Sequence, residues 1–150
     1  MSNSARQANS DFVALTESYE HQRHFQSYFM FLKKNMISNE FVRDFWMNLE
    51  NLKSRDDVIQ KYEVPFLENI IRRGLKAEAL FPYPVVQTPA YCNPTHVFWE
   101  HLIIAGFPYL KIDLLRDNPM NLDSIHRWPR YVKDKVLLDI INKYIGLVIN

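Results

Sequence analysis

The stretch from Tyr62 to Pro82 constrains the fold most, because it carries a helix, the stop of that helix and a strand in one short run. Pro65 suits a first helical position, where a missing N–H costs nothing, and Phe66, Leu67, Ile70 and Ile71 recur on one face. Gly74 can take the left-handed conformation that ends a helix, while Arg72 and Arg73 place positive charge at the negative end of its dipole. Leu75, Ala77, Ala79 and Phe81 alternate with Lys76, Glu78 and Leu80 before Pro82, which predicts a short strand. Glu63 then stands at a helix entrance beside a sheet. A carboxylate there either complements the dipole or serves as a general base.

The remaining sequence bounds the class of protein. A chain of 150 residues with 47% apolar and 14% aromatic residues is predicted to form one α/β domain over residues 11–150, preceded by a disordered tail over residues 1–10. A net charge of +1 excludes the broad basic footprint of a nucleic-acid binder. No apolar run approaches the roughly 18 residues that a spanning helix needs, and no leader peptide is evident. Cys92 is the single cysteine, so no internal disulfide forms, which agrees with a cytoplasmic setting.

Taken in order, Phe12, Val13 and Leu15 form a brief apolar run, and Glu17 to His24 reads as a polar loop. Phe25 to Leu32 is aromatic-rich with apolar residues on both faces, which predicts the central strand. A helix from Ser38 through Leu49 presents Phe41, Val42, Phe45, Trp46 and Leu49, and a capping box of Ser54 and Asp57 opens a short helix to about Tyr62. The prolines between Pro82 and Pro94 favour an extended loop. A helix over Thr95–Ala105, a short strand at Tyr109–Ile112 and a turn of helix at Leu114–Asn118 follow. The last helix is predicted over Tyr131–Ile145, with Val132, Val136, Leu137, Ile140, Ile141 and Tyr144 facing the core.

Several groups invite chemistry. His21, Arg23 and His24 are either a solvated loop or a site for an anionic or sugar ligand. His21 and His24 lack a third ligand at zinc spacing, and His96 and His101 are five residues apart on one predicted helix, so no metal site is assigned. Asp56 and Asp57 follow a capping serine rather than ending a strand, which favours a helix start over a metal-binding aspartate pair. With only Gly74, Gly106 and Gly146 available, no phosphate-cradling loop exists.

Six spaced motifs carry a more specific signal: His24-Phe25-Gln26-Ser27-Tyr28-Phe29, Phe45-Trp46, Tyr62-Glu63-Val64, Asn93-Pro94-Thr95-His96 with Trp99, Gly106-Phe107-Pro108, and Leu114-Leu115-Arg116-Asp117-Asn118-Pro119. In this order, from about Asp11 to Pro119, they resemble the rhamnan synthesis protein F family of bacterial polysaccharide glycosyltransferases. The layout is also similar to the second half of inverting GT-A glycosyltransferases, which implies a partial GT-A-like half with a short mixed sheet packed by helices.

The resemblance implies that Glu63 is the base towards an acceptor hydroxyl and that His24, Gln26, Ser27, Tyr28 and His96 lie on the acceptor side. Val64 departs from the broader class, which often has a second acidic residue there. The implied donor is a nucleotide sugar such as dTDP-rhamnose, bound in the complete enzyme with metal dependence left open. The implied acceptor is a saccharide or lipid-linked saccharide, reached in the cytoplasm or at the inner face of the membrane. No donor-binding half is evident in this sequence, so the chain is expected to need that half or to self-associate. A non-catalytic binding module that kept the fold and lost the donor site is the alternative.

Overall fold

A computed structural model describes residues 2–83 and 92–148, with side chains described over residues 5–83 and 92–146. They group into two compact units, Met1–Cys92 and Asn93–Asn150. The prediction of an extended proline loop falls largely on residues 84–91, outside the described residues.

The first unit is a mixed α/β layer built on β1 (Phe12–Ser18), whose seven residues are all buried. β1 runs antiparallel to β2 (His24–Phe25) and β3 (Met30–Leu32) on one edge and parallel to β4 (Ala77–Phe81) on the other. The central strand is therefore Phe12–Ser18, and the strand predicted over Phe25–Leu32 is two short pieces. The cause is a bulge. Between the paired positions, Gln26, Ser27, Tyr28 and Phe29 oppose only Leu15 and Thr16 of β1. Extra residues on one strand break the ladder and re-aim side chains, a device found beside functional sites.

Helices α2 (Lys34–Ile37) and α3 (Glu40–Met47) replace the single helix predicted from Ser38. Ser38 closes α2 instead, its N–H bonded to the Lys34 carbonyl. Further on, α4 (Arg55–Val58), a π turn (Ile59–Glu63) and α5 (Val64–Arg72) run on without a break. Ser54 caps α4 as expected, its Oγ accepting from the Asp57 N–H at 3.1 Å. Glu63, however, is not at a helix entrance. It has helical dihedrals within this run, and the Val64 N–H reaches back five residues to the Ile59 carbonyl. Pro65 explains the wide turn, because its ring removes the N–H owed to the Lys61 carbonyl and crowds that oxygen.

Around this frame, Phe12, Ala14, Phe25, Met36, Val42, Phe66, Leu67 and Ile70 form the core. Phe66 is its centre, with ring centroids of Phe45 at 4.3 Å, Phe12 at 5.5 Å, Trp46 at 5.9 Å and Phe41 at 6.0 Å. Gly74 ends α5 at φ 70°, as its position predicts, and Leu75 N–H bonds to the Ile70 carbonyl.

The amino end of β1 is tied by Asp11. Its carboxylate accepts from Lys76 N–H at 2.8 Å and from Asn35 Nδ2 at 2.6 Å, while Lys33 N–H bonds to its carbonyl. The residues expected to be a disordered tail instead contain α1 (Ser2–Gln7), with Ala5 buried and the Ala8 carbonyl accepting from Lys33 Nζ. The Lys76 amide, followed by the Asn35 side chain, holds the Asp11 carboxyl below the usual carboxylate range. A depressed pKa contributes stability above the unfolded value of about 3.9, and that stability is lost as pH falls through the lower folded value. Asp11→Ala is therefore expected to cost about 1–2 kcal/mol in urea denaturation at pH 7. The gap should narrow below about pH 4, and an equal gap at pH 7 and pH 3 would count against this assignment.

The second unit is helical: α6 (Pro94–Val97), α7 (Trp99–Ile104), α8 (Ile112–Asp117), a 3₁₀ segment (Asp123–Tyr131) and α9 (Lys135–Val148). Trp99, Leu114 and Trp128 form its core. Three sequence expectations change here. Phe98 divides the helix predicted over Thr95–Ala105, and no strand forms at Tyr109–Ile112, where Ile112 opens α8 and Asp113 accepts from the Leu114 N–H. The last helix begins at Lys135 because Asp134 Oδ1 accepts from the N–H groups of Val136 and Leu137. Of its predicted core stripe, Val132 and Ile141 pack inward with Leu138 and Ile145, while Val136, Leu137, Ile140 and Tyr144 are exposed.

Candidate functional site

The carboxyl half of β1 departs from the apolar pattern: Thr16, Glu17 and Ser18 are buried polar residues at the strand end that runs parallel to β4. Ligands of open α/β sheets bind beyond the carboxyl ends of such strands. Burial of polar groups at that end requires partners, and the structure supplies them from the bulge and the loop before it.

Glu63 reaches this end from the π turn. Its Oε1 accepts from the Ser27 N–H at 3.0 Å, and its Oε2 stands 3.4 Å from His24 Nε2. The carboxylate is 10% exposed and the His24 side chain fully buried. His24 Nδ1 is 2.8 Å from the Gln22 carbonyl, which can only accept, so Nδ1 carries a hydrogen. Nε2, which faces Glu63, makes no well-formed hydrogen bond among the described residues. Helix and bulge are thus joined through one carboxylate.

Beside this pair, Thr16 Oγ1 donates to Gln26 Oε1 at 2.7 Å. A hydroxyl has one hydrogen, so Tyr28, whose hydroxyl also meets Thr16 Oγ1, is the donor in that contact. Gln26 is buried, whereas Ser27 and Tyr28 are exposed, with 43% of Tyr28 open to solvent. A pinned aromatic ring therefore faces water next to the Ser27 amide that holds Glu63.

Each of the three basic residues in this loop stands beside a carboxylate of the protein. His21, at φ 64°, pairs with Asp56 at 3.6 Å, Arg23 with Glu17 at 2.9 Å, and His24 with Glu63. Glu17, absent from the sequence-derived candidates, also accepts from the Tyr83 N–H at 3.0 Å and so links β1 to the exit of β4. Its signal was a carboxylate directly after an apolar run. Among the described residues, no group of three His, Cys, Asp or Glu side chains converges on a possible metal position, and no helix is long and apolar enough to cross a membrane.

His96 belongs to the second unit. It is buried at the start of that unit, with Nε2 at 3.2 Å from Asp113 Oδ2. In the same unit Glu100 accepts from Arg127 Nε at 2.9 Å and from the Tyr131 hydroxyl at 2.8 Å. The Arg127 guanidinium, then Tyr131, lowers the Glu100 carboxyl, and the bond to Glu100 raises the Tyr131 phenol. The structure thus brings Glu63, His24 and Ser27 together directly and joins Gln26 and Tyr28 through Thr16.

Comparison with known proteins gives one family: that described as rhamnan synthesis protein F, whose profile matches residues 4–141. Two curated sequences, both described as virulence protein VirA of Vibrio anguillarum, are 24% identical over 147 residues, covering 79% of this chain and 48% of theirs. The chain spans about half the length of the curated relatives it matches. No solved structure matches.

Proposed function

Because this chain belongs to the rhamnan synthesis protein F family, we propose that it is the acceptor-side part of a GT-A-like glycosyltransferase that builds a cell-surface polysaccharide. The observation that carries the reading is the Glu63 carboxylate, fixed by the Ser27 amide beside the exposed Tyr28 ring. A carboxylate offers about four lone-pair positions, so engagement of each oxygen leaves capacity for a substrate hydroxyl.

In the proposed inverting reaction, an acceptor hydroxyl gives its proton to Glu63 and its oxygen bonds to the anomeric carbon. The bond from that carbon to the nucleoside diphosphate breaks, and the leaving group takes the electron pair. General-base assistance of this kind contributes about 10²–10⁴-fold. His24 and Ser27 would orient the carboxylate, and Gln26 and Tyr28 would shape the acceptor side. The donor, such as dTDP-rhamnose with or without a divalent metal, would be held by the complete enzyme. His96 is proposed only as an acceptor-side residue, through its own unit.

A second reading is favoured by the 10% exposure of Glu63, whose two oxygens already serve the protein. In that reading the carboxylate is a clasp and the chain is a non-catalytic binding module. A full-length family member incubated with dTDP-rhamnose and a rhamnose oligosaccharide is expected to yield an acceptor longer by one sugar, with inverted anomeric configuration by NMR. Saturable binding of the oligosaccharide, with no binding of dTDP-rhamnose and no product, would favour the second reading.

A further inference from the structure

Away from Glu63, the first unit carries an open groove of about 530 Å³ between β3, α2 and α3. That size falls within the range of about 300–1,000 Å³ typical of small-molecule sites. Leu32 and Val42 line it together with Ile37, Trp46 and Met47, which are 60%, 41% and 84% exposed. Trp46 is a fixed wall, its ring set edge-on to Phe45 at 5.6 Å and to Phe66 at 5.9 Å. Arg43 is the one charged residue of the lining, and its guanidinium makes no ion pair or hydrogen bond among the described residues.

An apolar channel with one unpaired cation suits a molecule with one apolar tail and one anionic head. An extended anionic bilayer fits less well. Lys33, Lys34, Arg43 and Lys53 are interleaved along this stretch with Glu40, Asp44 and Glu50, so no broad positive field exists. We propose that the groove binds a single anionic amphiphile, an acyl chain lying along Trp46 and Met47 with its head on Arg43. The proposal is independent of sugar transfer at Glu63.

Calorimetric titration of this chain with dodecyl phosphate, kept below its micellar concentration, tests the site. One-to-one saturable binding is expected, weakened about tenfold by Arg43→Gln, the loss of one charge-assisted contact. Met47→Glu should weaken it at least as much, and dodecyl maltoside should bind about tenfold more weakly than dodecyl phosphate. Both substituted residues are exposed, so circular dichroism should show an unchanged fold. No saturable binding, equal affinity in Arg43→Gln, or uptake only onto phosphatidylglycerol vesicles would overturn the proposal. A concentration-dependent dimer abolished by Met47→Glu would also overturn it, assigning the groove to a second copy of the chain.

Discussion

Glu63→Gln is expected to lower sugar transfer by a full-length family member about 10²–10⁴-fold, with the protein still folded. The substitution keeps a carbonyl oxygen for the Ser27 N–H but removes the basic group that would take the acceptor proton. Turnover, measured with saturating donor and acceptor, isolates this loss from weaker binding. Unchanged turnover accompanied by lower stability would make Glu63 a clasp between the π turn and the bulge.

Phe66→Ala should give the largest loss of stability, about 3–5 kcal/mol in urea unfolding. Its ring is 2% exposed and meets four other aromatic rings, so truncation leaves a cavity bounded by β1, α3 and α5 that side chains from three elements cannot fill together. A loss below about 1 kcal/mol would mean that Phe45 and Trp46 collapse into the space. Since Trp46 also walls the groove, that collapse would be visible as weaker binding of dodecyl phosphate.

Local signals in the sequence suffice where a single residue determines the backbone. Ser54, Gly74 and Gly106 mark helix ends in both sequence and structure. The strand before Pro82 forms nearly as its alternation predicts. The central strand is not legible locally because its identity depends on distant partners: Phe12–Ser18 is buried by β2, β3 and β4, and its polar end is satisfied by residues far along the chain. Nothing local distinguishes a buried Thr16 or Glu17 from a loop residue. The bulge is equally non-local, since Gln26–Phe29 is extra only relative to β1.

The candidate site was legible in its residue types and less so in its construction. His24, Ser27 and Glu63 do meet, but Glu63 arrives from within a helix rather than from its entrance. Pro65 carried that ambiguity. A proline opens a helix or widens its turn, and only the Val64 bond back to Ile59 decides between the two. The family resemblance pointed to these residues while saying nothing of the π turn.

That wide turn also limits how this segment can change in length. A single-residue deletion between Ile59 and Glu63 would restore regular helical spacing but rotate everything before it by about 100° relative to Phe66. The Arg55 bond to Glu20 and the Asp56 approach to His21 would then point away from their partners together. Two anchorages, one in the polar loop and one in the aromatic core, therefore fix the number of residues between Ser54 and Pro65. Related chains should tolerate substitution in this interval far better than insertion or loss.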